Sequence, residues 1–296
     1  MMKKIFIFIM MLTAMPLWAQ TVSKFLDQNV SLLKEKLGTG PSTNLMAQNA
    51  YNKKARIESF SIQGIARLFK KEHQVFSDLK NLIKAFEDHM GEVNKWGGFK
   101  DLPNTTVSQK VLYQKNFELE LKNLSSFLKN SKFLFTLQNY NKQIAALNIS
   151  EDNTEKVVLA EIKDEIRDIM KTKYDFSHGE HGLHEFRRHL RWILYEISAF
   201  NPLFMVKKTS CKKSPYYELG FSSYYSSAKD NSKGIFTLNL CPYVELAGLA
   251  VHLGKVKEAL ELENKLDAPV SPELHSFMKK TYIDITKNIL PNLFDD

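Results

Sequence analysis

Residues 178–197, HGEHGLHEFRRHLRWILYEI, hold four of the eight histidines of the chain together with three arginines. On a helix of about 100° per residue, the leucine, isoleucine and phenylalanine side chains of this stretch form one apolar face, which predicts a core position. A second arc of about 100° beside that face collects the basic side chains and one tyrosine: His184, Arg187, Arg188, Arg191 and Tyr195. Glu185 and Glu196 fall on the third side, which we expect to face solvent. The stretch therefore predicts a core helix with a one-sided basic stripe.

Helical periodicity extends over most of the remaining chain. The predicted helices cover 22–38, 47–71, 74–95, 107–130, 132–147, 154–173, 183–200, 243–266 and 271–290. Short breakers such as the glycines at 97–98 separate them, and Ser150 or Asn153 is placed to cap the helix that begins near 154. Strands do not alternate with helices, so the sequence predicts an all-α fold rather than a parallel α/β fold.

One segment, at about 206–242, has a different pattern. YYELGFSSYYS (216–226) and GIFTLNL (234–240) are rich in aromatic and β-branched residues, and the turn-forming SAKDNSKG separates them. This pattern predicts a small β-hairpin inserted among the helices. Cys211 and Cys241 are the only two cysteines of the chain, and they flank the segment.

The first residues have the pattern of an export signal. Lys3 and Lys4 precede the apolar run at 5–17, and Ala19 ends the segment as a small cleavage-site residue does. The run is shorter than the roughly 20 residues that a helix needs to cross a bilayer, and no second run of this kind follows. Residues 1–19 are therefore predicted to be a signal peptide of an exported protein, periplasmic or secreted, without a transmembrane segment. In an oxidising compartment the two cysteines predict a disulfide.

Composition narrows the class of function. A net charge of +8 and an isoelectric point near 9.2 favour an acidic partner. Arginine presents a planar fork of donors that matches phosphate oxygens, so the basic stripe predicts binding of a polyanion. No nucleophile elbow and no phosphate-binding loop occurs, so the sequence predicts a binding protein rather than an enzyme, and no cofactor.

An internal similarity predicts two related halves. FEDHMGEVNKW (86–96) resembles LAVHLGKVKEA (249–259), because histidine, glycine and valine recur in the same order. The boundary is expected near 148–154, with an N-terminal half at 20–150 and a C-terminal half at 151–296.

The stripe also resembles a known family. HEFRRHLRWILYE (184–196) is similar to the signature helix of the CHAD domain, a histidine-bearing α-helical domain, and residues 249–266 are similar to the leucine-glycine helix that follows it. The resemblance implies two helical bundles related by a pseudo-twofold axis around a basic groove that binds inorganic polyphosphate. It carries over the stripe residues, from His184 to Tyr195, and adds Lys255 on the second helix. The N-terminal half contains Arg56 and Arg67 but no His-x-x-Arg motif.

Two other interpretations of the sequence stay open. His178, His181 and His184 are close enough in sequence for a zinc-like site, which is the pattern of a metal-binding protein or a metal-dependent hydrolase. Their spacing spreads them over about 120° of a regular helix, and the neighbouring arginines repel a cation. Nucleic acid is an alternative polyanion, and an adhesion or interaction protein that uses the lysine-rich predicted hairpin at about 206–242 is a further alternative.

Overall fold

A computed structural model describes residues 21–38, 40–102, 105–207, 216, 217, 219, 234–263 and 268–294. This part of the chain is predominantly helical, with one small sheet of two strands. The predicted all-α class is therefore confirmed. None of the helices in the described ranges is long and apolar enough to cross a membrane.

The helices before the histidine-rich stretch lie close to their predicted positions. They are α1 (Val22–Leu37), α2 (Thr43–Asn52), α3 (Arg56–Phe69), α4 (Gln74–Lys100), α5 (Val107–Asn130), α6 (Phe133–Ala146) and α7 (Glu151–Lys171). Ser150 caps α7, because its side chain accepts a hydrogen bond from the Asn153 backbone N–H at 3.2 Å.

The helix predicted over 47–71 is two helices, and this break positions a site residue. Lys54 adopts a left-handed conformation with φ of 53°, and the Ala55 N–H donates to the Ala50 carbonyl oxygen at 2.9 Å. The break contains neither glycine nor proline, so the sequence pattern did not predict that the helix ends there. As a result Arg56 is the first residue of α3. The opposite error occurs at Gly97 and Gly98, which were predicted to end α4 but lie inside it.

The C-terminal part begins with a π-helical turn and continues as helices. Gly179–His184 form that turn, followed by α8 (Glu185–Ala199), a 3-10 turn at Asn201–Leu203, α9 (Leu240–Leu262) and α10 (Pro272–Asp284). A second π-helical turn at Ile285–Ile289 and a 3-10 turn at Leu290–Asn292 extend α10.

The sheet corrects the predicted hairpin. Strand β1 (Phe204–Lys207) pairs with β2 (Phe236–Asn239), so the strand predicted in GIFTLNL exists, but the two strands are parallel. A hairpin joins antiparallel strands, whereas parallel neighbours need a crossover connection. Tyr216, Tyr217 and Leu219 are helical where the first strand of the hairpin was predicted.

Two predictions fall wholly or partly outside the described residues. The signal peptide at 1–19 is one of them. The disulfide is the other, because Cys211 lies outside the described part, and so the pairing with Cys241 in the first turn of α9 stays a prediction.

Helix α8 is in contact with helices from both parts of the chain. It packs against α3, α7 and α9, and its apolar face is buried as predicted. Its polar residues therefore meet neighbours from both the N-terminal and the C-terminal parts of the chain.

Candidate anion-binding site

The basic stripe of α8 is divided among different neighbours. Arg187 turns toward α9, where its Nε donates to the Ala250 carbonyl oxygen at 3.2 Å. Arg188 is exposed and pairs with Glu185 at 3.2 Å, one turn earlier on the same helix. These two arginines therefore do not converge on one groove, although they are neighbours in sequence.

Arg191 turns instead toward α3 and meets an arginine from the N-terminal part of the chain. Its guanidinium carbon lies 4.7 Å from the centroid of the Phe60 ring, and that of Arg56 lies 5.0 Å from the same centroid. Tyr195 stacks on Phe60, with ring centroids 4.4 Å apart and planes 9° from parallel. We call Arg56 and Arg191 the arginine pair. The pair is held by contact with aromatic rings rather than by contact with acids.

No acid within the described residues forms an ion pair with either member of the arginine pair. The Nε atoms of both Arg56 and Arg191 are buried and have no hydrogen-bond partner there. Both residues are half-buried, so part of each side chain remains open to solvent. Burial, and next the positive charge of Arg191, lower the pKa of Arg56. Two cations held side by side with unused donors favour an anion as the missing partner.

A buried carboxyl group adjoins the arginine pair. Glu87 on α4 is 5% exposed, and its Oε1 has no partner among the described residues. Burial raises the pKa of Glu87 to about 8, although the charges of Arg56 and Arg191 act in the opposite direction. The carboxyl group therefore keeps its proton at neutral pH and leaves the arginine pair without an internal counter-charge.

His184 and Lys255 lie away from the arginine pair. The Nδ1 of His184 is 3.0 Å from Glu180 Oε2, and burial lowers the pKa of this histidine, so it is neutral at neutral pH. Lys257 and Arg187 lie near His184 and lower its pKa further. Lys255 is exposed and lies near His252. Of the predicted polyanion-binding residues, Arg191 belongs to the arginine pair and Tyr195 lies next to it. The other four have different neighbours.

The histidine cluster does not form a ligand set. Among the residues that the structure describes, no three histidine, cysteine, aspartate or glutamate side chains come together in a group that could hold a metal ion. His178 lies 4.0 Å from Asp175, and the Nδ1 of His189 lies 2.7 Å from the Tyr174 hydroxyl oxygen. The imidazoles therefore have separate partners.

A second polar site lies between α8, α3 and α7, and it was not predicted from the sequence. Glu196, predicted to face solvent, is 1% exposed, and its Oε1 accepts from Arg67 Nε at 3.5 Å. Arg67 also pairs with Glu165 at 3.3 Å, and its guanidinium lies 4.3 Å from the Trp192 ring centroid. Burial raises the pKa of Glu196 to about 8. Arg67, Glu165 and Glu196 border a cavity of about 280 Å³, in whose lining Lys71 also pairs with Glu161 and Arg167 with Asp164.

The two glycines of the internal similarity have comparable neighbours. A β-carbon on Gly91 would lie 3.4 Å from Arg56 Nη2, and one on Gly254 would lie 2.7 Å from Arg187 Nη2. Each glycine thus faces the guanidinium of an arginine from the first turn of a preceding helix. This parallel points to Arg56 as the counterpart of Arg187. The His-x-x-Arg motif could not indicate Arg56, because the N-terminal half does not contain that motif. The pseudo-twofold relation of the two halves stays a prediction.

No protein-family model, no curated protein and no solved structure matches the chain. The chemistry of the site therefore follows from its own residues. The arginine pair supplies forked donors and positive charge beside two aromatic rings, which together suit an oxyanion.

Proposed function

We propose that this protein binds a phosphate-rich polyanion, inorganic polyphosphate in the first place, with the arginine pair as the anchor of the site. The observation that carries the proposal is that Arg56 and Arg191 share the Phe60 ring without an acidic partner among the described residues. Burying part of two guanidinium groups without partners costs free energy, which a bound oxyanion offsets.

The charge of the whole chain supports a polymeric anion. The net charge of +8, which is +6 without Lys3 and Lys4 of the predicted signal peptide, attracts a polyanion from a distance. Arg187 lies one turn before Arg191 on α8, and His184 of the preceding π-helical turn lies near Arg187 and near Lys257 of α9, so a chain of phosphates has further polar groups to meet. The resemblance of residues 184–196 to the CHAD signature helix points to the same ligand class. We also propose, from the predicted signal peptide, that binding takes place outside the cytoplasm.

Replacement of the arginine pair tests the proposal. The variant Arg56→Gln with Arg191→Gln keeps long side chains and good helix formers while it removes both forks. If each charge-assisted contact contributes about 1.5–3 kcal/mol, polyphosphate affinity falls by about two orders of magnitude or more. The measurement is isothermal titration calorimetry with long-chain polyphosphate at pH 7, with circular dichroism to verify the fold.

A charge-matched control distinguishes binding at the arginine pair from attraction by the overall positive charge of the protein. Arg167→Gln with Arg188→Gln also removes two positive charges, but both residues are exposed and pair with acids on their own helices. We expect this control to lose little affinity and to keep the steep decrease of affinity with salt that phosphate binding shows. Equal affinity losses in the two double variants would reject the arginine pair as the site.

A single-stranded oligonucleotide of similar charge distinguishes the two polyanions. If the oligonucleotide displaces polyphosphate only when its own phosphate groups are in large excess, the result supports the proposal. Tighter binding of the oligonucleotide would make nucleic acid the partner of the same site.

A further inference from the structure

Glu87 is placed to act on the arginine pair directly. It lies on α4 one turn before Gly91, and the Arg56 guanidinium packs against that glycine. The positive charge of Arg191 on α8 acts on the same carboxyl group. The carboxyl group is 5% exposed, and its Oε1 has no hydrogen-bond partner among the described residues.

The groups that face Glu87 come from three helices. They are Arg56 and Ser59 from α3, Arg191 from α8 and the neighbouring Asp88 on α4. Asp88 is exposed and pairs with Lys84, so it does not neutralise the arginine pair. A buried carboxylate at Glu87 is therefore the one internal anion among these described residues that faces both guanidinium groups.

We propose that Glu87 is an internal competitor for the anion site, which leaves the arginine pair to a bound oxyanion while it is protonated and cancels one of the two positive charges of the pair once it ionises. This inference rests on the proposed function and adds its regulation by pH. The reason is electrostatic: two guanidinium groups that face a carboxylate in a partly buried site bind a second anion less well.

The expected pH dependence follows from the protonation equilibrium. Burial raises the pKa of Glu87 to about 8, so the protonated and binding-competent fraction is large at pH 7 and small at pH 9. Apparent affinity is reduced in proportion to the competent fraction, which gives a decrease of about tenfold between pH 7 and pH 9. Because binding favours the protonated form, a bound polyanion also raises the pKa of Glu87.

The experiment is polyphosphate titration at pH 7 and pH 9 with the full chain, the Glu87→Gln variant and the Asp88→Asn variant. Glutamine has nearly the same shape as a protonated glutamate, so Glu87→Gln is expected to bind at pH 7 as the parent does and to lose most of the tenfold decrease at pH 9. Asp88→Asn removes the exposed carboxyl group next to Glu87 and is expected to keep the full decrease.

A measurement on the unsubstituted protein provides an independent test. The side-chain carboxyl carbon of Glu87, followed by nuclear magnetic resonance, is expected to titrate near pH 8 without ligand and at higher pH with saturating polyphosphate. Unchanged titration on binding, or the same tenfold decrease in Glu87→Gln, would overturn the competitor role while leaving the anion site intact. Absence of polyphosphate binding at pH 7 by the parent would instead overturn the proposed function itself.

Discussion

Two buried glutamates, Glu87 and Glu196, carry protons at neutral pH for the same physical reason but in different surroundings. Glu87 faces two guanidinium groups that have no acidic partner among the described residues. Glu196 faces Arg67, which is shared with Glu165, and it borders a cavity whose charges are mostly paired. The surroundings of Glu87 therefore leave positive charge for a ligand, whereas Arg67 beside Glu196 already has acidic partners. Glu196 is therefore expected to affect stability rather than polyphosphate binding.

Glu196→Gln is expected to stabilise the protein at pH 8 but not at pH 4. The folded-state pKa of about 8 lies above the ordinary value of 4.5, so the unfolded chain ionises first as the pH rises. The contribution of the protonated Glu196 to the free energy of unfolding is complete below about pH 4.5 and is lost progressively as the pH rises to about 8. Glutamine removes this loss, which corresponds to a few kcal/mol at about 1.4 kcal/mol per pH unit.

Urea unfolding of the parent and of Glu196→Gln at both pH values measures this effect. Glu87 is present in both proteins and its contribution cancels in the comparison. A difference in unfolding free energy that is the same at pH 4 and at pH 8 would show that Glu196 does not hold its proton in the fold.

Individual site residues were only partly predictable from the sequence. The helical wheel of residues 184–196 places Arg191 and Tyr195 on one arc, and both lie at the candidate site. The wheel describes directions around one helix, but not which helix lies in each direction. Arg187 thus faces α9, Arg191 faces α3, and Glu196, predicted to be outside, faces α3 and α7.

At the scale of elements, periodicity predicted the helices well and failed where backbone geometry decides. The break before Arg56 depends on a left-handed lysine, Lys54, that no glycine or proline announces. The strand at Phe236–Asn239 has clear β propensity, but propensity says nothing about the direction of its partner, and the pairing is parallel. The continuation of α4 through Gly97 and Gly98 shows that packing overrides a weak helix propensity.

These two glycines of α4 predict opposite effects from the same substitution. A β-carbon on Gly97 would lie 2.6 Å from Tyr51 Cε2, whereas one on Gly98 would meet nothing within 4 Å. Gly98→Ala is expected to stabilise the protein by about 0.5–1 kcal/mol, because alanine loses less backbone entropy in a helix. Gly97→Ala is expected to destabilise it, because the Tyr51 ring must leave its position between α2 and α4.

Thermal unfolding of the two single variants beside the parent is the measurement. They change adjacent residues by the same methyl group, so each is the control for the other. Similar shifts in melting temperature for both would mean that Tyr51 does not pack against Gly97.

At the scale of the whole molecule, the two sequence halves at 20–150 and 151–296 share one set of contacts. The Val22 N–H donates to Thr154 Oγ1 at 3.3 Å, and the Phe25 ring lies 4.8 Å from that of Phe200. The stacking of Phe60 on Tyr195, which holds the anion site, also crosses this boundary. The candidate site therefore exists only when both halves are folded and in contact.

This contact set predicts that the described chain unfolds in a single cooperative transition. Leu124 of α5 is fully buried within the first half, and Leu124→Ala is expected to cost about 2–5 kcal/mol through the cavity it leaves. If the halves are coupled through α8, the whole calorimetric peak moves to lower temperature without splitting. Saturating polyphosphate should move the same undivided peak upward, because the ligand binds only the folded state. A peak that splits in Leu124→Ala, with one component at the parent temperature, would mean that the C-terminal half folds alone, and α8 would then not couple the two.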